Sequence, residues 1–408
     1  MPAEHAAVDG MTMNRKMKVM MSLLLTVLAV AAGAAVANAQ TEKLPIDRVW
    51  QFARQQLKQT VTEWNDSVKY PRSTGPDGRW ITGSSQYWTS GFLPGCLWYT
   101  FEEGGDPVIR AAATRWTEGL ESLQFYRGHH DIGFMVFCSY GNGYRLTKNK
   151  QYKDIILQTA RTLMTRYNPT VGCIKSWDNR RWPYPVIIDN MMNLELLFWA
   201  SQNGGTKEMY DAAFSHAVKT MQNHFRPDYS TYHVIGYDST TGGVLSKGTN
   251  QGFADSSCWA RGQAWAIYGF TMSYRYTKDT RFLHTAQRAA DYFISHLPPD
   301  NIPYWDFQAP GIPDEPRDVS AAAIASSALL ELSQYGDDTR LKKNYRDVAE
   351  KMLGSLCSAP YLAEGTPSHA ILNHSVGSKP ANAEVDVSLI YADYYFLEAL
   401  HRYSQLKK

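Results

Sequence analysis

From residue 46 onward one pattern repeats: apolar residues recur every three or four positions, then the run breaks at a polar or Gly-rich stretch. This is the period of a helix with one buried stripe. Twelve such segments are predicted, at about 46–64, 90–103, 107–123, 131–146, 150–167, 189–203, 207–225, 258–277, 280–296, 318–335, 339–357 and 386–404. Strand signals are scarce, and only Thr231 to Val244 suits a small hairpin. The links between segments alternate in length. Those before the third, fifth, seventh, ninth and eleventh helices are short, and most of those before the even-numbered helices are long; 124–130 is the shorter exception. Antiparallel neighbours joined by short turns make helical hairpins. Six hairpins closed into a ring give an all-α (α/α)₆ barrel with the even-numbered helices inside. No fixed-period consensus of the TPR or ankyrin kind favours an open solenoid instead.

This arrangement gathers the long loops and the inner-helix N-termini on one face, where function usually sits and where anions are favoured. Polar and aromatic residues cluster at these positions. Tyr87-Trp88-Thr-Ser-Gly precedes the second helix, and His129-His130-Asp131 opens the fourth. Asp189 opens the sixth, after the loop Lys175-Ser-Trp177-Asp-Asn-Arg-Arg-Trp-Pro-Tyr-Pro185. Gln251, Arg261 and Trp265 lie before and along the eighth, and Arg317-Asp318 opens the tenth. Asp131 and Asp189 fall at the same depth on adjacent inner helices. Two close carboxylates do not both ionise freely, so one becomes a general acid, as acid/base chemistry on sugars requires. Asp is also a favoured N-cap residue, and that reading stands beside the chemical one for both. His130 suits a bond to a substrate hydroxyl or a carboxylate, whereas His129 is expected to face elsewhere. Arg261 and Trp265, four residues apart, share a helix face and suit a carboxylate clamp beside a stacking ring; a snorkelling Arg past a core Trp is the alternative. Adjacent histidines diverge on a helix start, and no HExxH or Asp-rich calcium loop occurs, so no metal is expected.

The composition narrows the class. Twelve Trp and 25 Tyr suit both a large core and sugar stacking. Removing residues 1–39 takes away Arg15, Lys16 and Lys18 against Glu4 and Asp9, lowering the formal charge from +2 to +1. That gives no basis for nucleic-acid binding. Residues 1–39 read as a signal peptide: a charged Arg15–Lys18, an apolar Val19–Ala35 and a small-x-small Ala37-Asn38-Ala39. Met13 is an alternative start. The remainder, 40–408, is expected to be one exported catalytic domain, periplasmic in a Gram-negative source, monomeric or homodimeric, with no membrane span. Five cysteines at 96, 138, 173, 258 and 357 show no CxxC and read as buried apolar residues, though one disulfide is compatible with export.

Taken together these segments resemble the unsaturated glucuronyl hydrolases of glycoside hydrolase family 88. The carriers are Tyr87–Gly95, His129–Phe134, Ile188–Asn193, Gly252–Trp265 and Glu384–Tyr395, of which Gly252-Phe-Ala-Asp-Ser-Ser-Cys-Trp-Ala-Arg-Gly-Gln-Ala-Trp265 is the most specific. The resemblance implies an (α/α)₆ barrel and no cofactor. It implies removal of the 4,5-unsaturated uronic acid that lyases leave on chondroitin, hyaluronan or heparin fragments. The step is hydration of the enol ether, with Asp189 as acid and base and Asp131 tuning it. It also implies substrate binding by Trp88, Trp177, His233, Gln251, Arg261 and Trp265. In the loop 371–384, Ser375, Ser378 and Lys379 suit a sulfate on the neighbouring sugar; a solvated lid is the alternative. An unsaturated rhamnogalacturonyl hydrolase and a non-catalytic sugar-binding protein are the rival functions.

Overall fold

The computed structural model describes residues 44–64, 68–178 and 181–407; residues 45–408 form one compact unit. Residues 1–39, expected to be a signal peptide, lie outside the described residues. The outer helices carry the amphipathic pattern. They are α1 (Ile46–Glu63), α3 (Pro107–Glu118), α6 (Lys150–Met164), α8 (Lys207–Asn223), α10 (Thr280–Ser295) and α12 (Thr339–Leu356). In α10 the buried residues Phe282, Leu283, Ala286, Ala289, Ala290 and Phe293 repeat at helical spacing. Four of the short turns before outer helices end in a real cap: Asp106, Asn149, Asp279 and Asp338 each accept a backbone N–H with the side chain.

The inner helices are α2 (Phe92–Gly104), the pair α4 (Ile132–Val136) and α5 (Asn142–Thr147), α7 (Leu194–Gln202), α9 (Ala260–Thr277), α11 (Val319–Leu332) and α13 (Ile390–Lys407). They are more deeply buried, α9 and α11 almost throughout. Each packs on the next, and α13 returns to α2, so the ring closes as the (α/α)₆ barrel expected. The closing pair joins the two ends of the chain: Gln56 Nε2 on α1 donates to the carbonyls of Ser368 (2.6 Å) and Ala370 (2.8 Å). Between the inner helices, Glu195–Arg275 (2.7 Å), Arg275–Glu331 (3.3 Å), Glu331–Arg402 (3.0 Å) and Arg402–Glu398 (3.5 Å) link α7, α9, α11 and α13. A cavity of about 550 Å³ lies there, among Tyr268, Tyr394, Arg275 and Arg402.

The long loops hold more strand than their sequences suggest. Nine short strands occur among the described residues, beginning with β1 (Tyr70–Thr74), β2 (Trp80–Gly83), β3 (Tyr167–Asn168) and β4 (Cys173–Ile174). The expected 231–244 hairpin is β6 (Val234–Tyr237) with β7 (Val244–Gly248), and β5 (Tyr184–Ile187) adds a third antiparallel strand, with Ile187 opposite Val234. β8 (Ser375–Ser378) and β9 (Ala383–Val387) form a hairpin where the twelfth helix was expected to begin; α13 starts at Ile390. The fourth predicted helix is broken by a π-turn at Phe137–Gly141, and the sixth opens with a 3₁₀ turn, Ile188–Asn193. All five cysteines are buried and free. No helix among the described residues is long and apolar enough to cross a membrane.

Candidate active site

Asp189 follows β5 directly, and the β5–β6 pairing decides what faces it. Ile188 N–H donates to the carbonyl of His233 (3.0 Å), one residue before β6. This brings His233 Nε2 to 3.5 Å from Asp189 Oδ2. The other ring nitrogen, Nδ1, accepts from the backbone N–H groups of Asn250 and Gln251, both at 3.2 Å. The proton therefore sits on Nε2, toward the carboxyl. Burial pushes the His233 pKa down to about 3, helped by the nearby Arg261 charge, so the ring is neutral.

Asp189 is not the cap of its helix: the 3₁₀ turn is capped at Ile187, and Asp189 lies in its first turn. Its Oδ2 is buried without a hydrogen-bond partner, while 18% of the side-chain surface stays open. Burial pushes its pKa up to about 7. Arg261 and a hydrogen bond from Trp265 pull the other way, and the charge of Asp131 adds to the rise. A carboxyl with such a value is a proton donor and acceptor suited to neutral pH.

Asp131 makes no cap bond either. His130 Nε2 lies 3.0 Å from Oδ1 and His129 Nδ1 3.3 Å from Oδ2, with 19% of the side-chain surface open. His129 thus touches the carboxylate instead of facing away, because Gln86 O holds its other nitrogen at 3.0 Å. Burial pulls the His130 pKa below its ordinary value.

The aromatic residues divide. Trp88 is half-buried against Tyr391 (ring centroids 4.8 Å), and Trp177 is half-buried 6.4 Å from the His130 ring. Trp265 is buried edge-on against Tyr395, so its contribution is the bond to Asp189 and not an open stacking face. Arg261 is only 1% exposed. Its guanidinium donates to Asp318 Oδ2 (2.7 Å), Val376 O (2.5 Å) and Gly377 O (2.6 Å), with Trp259 and Tyr391 on its faces. Protein groups therefore fill the fork expected to clamp a substrate carboxylate; here Arg261 fastens the β8–β9 hairpin and lends its charge to Asp189. Gln251 Nε2 donates to the same Gly377 carbonyl (3.0 Å).

In the 371–384 loop, Ser375 is buried with its Oγ unpartnered, Ser378 is partly buried, and Lys379 pairs with Glu315 over the Trp305 ring. Lys379 is thus not a free cation waiting for sulfate. Sequence reasoning named neither Trp259, whose ring lies 4.6 Å from that of His233, nor Asn193, although both sit inside the quoted motifs. Among the described residues, no group of three or more His, Cys, Asp or Glu side chains is placed to hold a metal ion.

The profile of Glycosyl Hydrolase Family 88 matches residues 52–403. An unsaturated glucuronyl hydrolase of Formosa agariphila is 49% identical over 328 residues, 79% of this chain and 81% of its own. A solved unsaturated glucuronyl hydrolase specific for heparin superposes with a TM-score of 0.86 at 46% identity, covering 89% of this chain and 97% of its own. The unsaturated glucuronyl hydrolase of Bacillus sp. GL1, responsible for the degradation of glycosaminoglycan, superposes with a TM-score of 0.81 at 31% identity, covering 87% and 97%.

Proposed function

The chain belongs to Glycosyl Hydrolase Family 88, and on that premise we propose that it removes the 4,5-unsaturated uronic acid from the non-reducing end of lyase-generated glycosaminoglycan oligosaccharides. Heparin-derived fragments head the substrates, a preference supported by the 46% identity to the heparin-specific relative. One observation carries the mechanism: a carboxyl held near pH 7 by burial, open on one side, faced by a neutral histidine N–H and coupled to a second carboxylate.

Protonated Asp189 gives its proton to C4 of the enol ether, and positive charge develops at C5 and the ring oxygen. The carboxylate so formed takes a proton from a water that adds at C5, which restores Asp189 and yields a hemiketal. The hemiketal opens by breaking its C5–O5 bond, its hydroxyl proton passing to O5, which leaves a ketone at C5 and a hemiacetal at C1. The hemiacetal collapses to the C1 aldehyde, its proton passes to the aglycone oxygen, and the shortened sugar leaves as an alcohol. The ionised Asp131 nearby favours the protonated form of Asp189 before the first transfer. His233 Nε2–H lies within reach of the carboxylate that appears after it. No bond to C1 is attacked, so carboxylate separation does not dictate retention or inversion. Export of the mature chain from residue 40 belongs to the same proposal and is supported by the leader-like composition of 1–39.

The test is loss of the conjugated C4=C5 ultraviolet absorbance on lyase-generated disaccharides of heparin, chondroitin, hyaluronan and pectin. Turnover fastest on the heparin disaccharide is the expected result. Turnover confined to the pectin product would transfer the protein to the rhamnogalacturonyl reading, and binding without absorbance loss would make it a sugar-binding protein.

A further inference from the structure

The two aspartates are each faced by a histidine, but the histidines are oriented by different means. His233 is set by two main-chain N–H groups. His130 has no main-chain donor on Nδ1; the group there is the side-chain amide of Asn193, with Nδ2 3.3 Å away. Which end of that amide faces the ring is fixed elsewhere. Phe134 N–H donates to Asn193 Oδ1 (3.0 Å), so the oxygen is taken and the NH₂ points at His130. Asn190, the other amide near this ring, has its nitrogen on Ile174 O (2.7 Å), and its oxygen makes no hydrogen bond. Nδ1 is therefore an acceptor and the proton lies on Nε2, 3.0 Å from Asp131 Oδ1. His129 supplies no equivalent proton in its neutral form. Its Nε2 donates to Gln86 O, and its Nδ1 accepts from Asp131 N–H (3.2 Å).

We propose that Asn193 is a positioning residue of the active site: it selects the Nε2–H tautomer of His130 and so turns a ring N–H, not a lone pair, toward Asp131. Asn193 is fully buried, and its approach depends on a glycine. A Cβ at Gly133 would lie 2.5 Å from Asn193 Oδ1, so any larger residue there displaces the amide. The catalytic consequence rests on the hydration reading; the tautomer itself does not. With the opposite tautomer, a lone pair on Nε2 would lie 3.0 Å from a carboxylate oxygen of Asp131, a repulsive contact that pushes the two groups apart. Asp131, whose charge favours the protonated form of Asp189, would then leave its place beside it.

The experiment is NMR of the full-length, substrate-free protein labelled with ¹⁵N-histidine, reading the His130 tautomer from ring nitrogen–proton couplings. Nε2–H in the wild type is expected, and Nδ1–H overturns the proposal without any variant. Asn193→Asp keeps the acceptor for Phe134 N–H but removes the NH₂. It should drive His130 to the Nδ1–H or doubly protonated form and lower kcat on the order of 10²-fold, with KM little changed and the pH profile displaced. An unchanged tautomer in Asn193→Asp, or a changed tautomer with unchanged kcat and pH profile, also overturns it. If no unsaturated disaccharide is turned over by the wild type, the hydration reading fails while the tautomer result still stands.

Discussion

A carboxylic acid donates protons at neutral pH only if its surroundings disfavour the anion, and Asp189 is in such surroundings. Because the protonated form starts the reaction, activity should fall as pH rises through the pKa of about 7, giving an alkaline limb there in kcat/KM. Asp189→Asn should lower kcat by roughly 10²- to 10⁴-fold while binding of the unsaturated disaccharide, read by calorimetry, persists. Retained turnover would remove Asp189 from the mechanism. Asp131→Asn deletes a negative neighbour that raises the Asp189 pKa, so the alkaline limb should move to lower pH; an unmoved limb would mean the two carboxyls are uncoupled. At this scale the sequence placed both aspartates, since each begins an inner helix. The choice between cap and acid needed coordinates: Asp106 and Asp338 cap their helices with bonds to backbone N–H groups, Asp131 makes no cap bond, and Asp189 lies inside its 3₁₀ turn and not at the cap position. Arg261 looked like a ligand clamp because its partners, Val376 and Gly377, lie 115 and 116 residues away and leave no mark on local spacing.

Among the elements, the β8–β9 hairpin depends most on distant support. Asn382, Glu384 and Asp386 all adopt positive φ, a costly conformation for residues with a Cβ. The hairpin is fastened by Arg261 from below and by Gln251 from the side. Arg261→Ala would leave Asp318 as an unpaired charge that is 0% exposed, a loss of about 3–5 kcal/mol by analogy with other broken buried pairs. Hydrogen exchange should accelerate first at residues 375–387; uniform acceleration across the barrel would show that the arginine braces the core and not this hairpin. Such elements escape sequence reading for a physical reason. Strands of two to five residues carry too short an alternation to detect, and their partners come from other loops. The helices were legible because their period repeats over several turns, although the π-turn at Phe137–Gly141 and the 3₁₀ turn at Ile188–Asn193 left no periodic trace.

Over the whole molecule the buried histidines set the acid limit. Burial holds His216 and His130 below the ordinary value, and His224 and His233 at about 3, so all four fold neutral. The unfolded chain protonates them near pH 6.5. Their stabilisation is therefore complete above about pH 6.5 and is lost progressively as pH falls toward 3. Asp189, raised to about 7, and Asp393, raised to about 8 by burial, act in the opposite sense, since their stabilisation is lost as pH rises through those values. The two sets oppose each other between pH 5 and 7.5, so the histidines are read in a protein carrying Asp189→Asn and Asp393→Asn, whose urea midpoint should be lower at pH 5 than at pH 7.5; equal midpoints there would mean the histidines are not held neutral.

The closure of the ring also governs when the site can exist. Gln56 meets Ser368 and Ala370 across 312 and 314 residues, Tyr391 packs on Trp88, and Arg261 waits for Val376. Loop-closure entropy makes contacts of such separation slow to form. On a chain still leaving the ribosome, the early hairpins can pair, but the catalytic face has no wall on one side until residues 368–395 arrive. The active site is thus completed only after β8 and β9 are made, and a chain cut short before β8 would hold Asp131, Asp189 and His233 without a finished pocket.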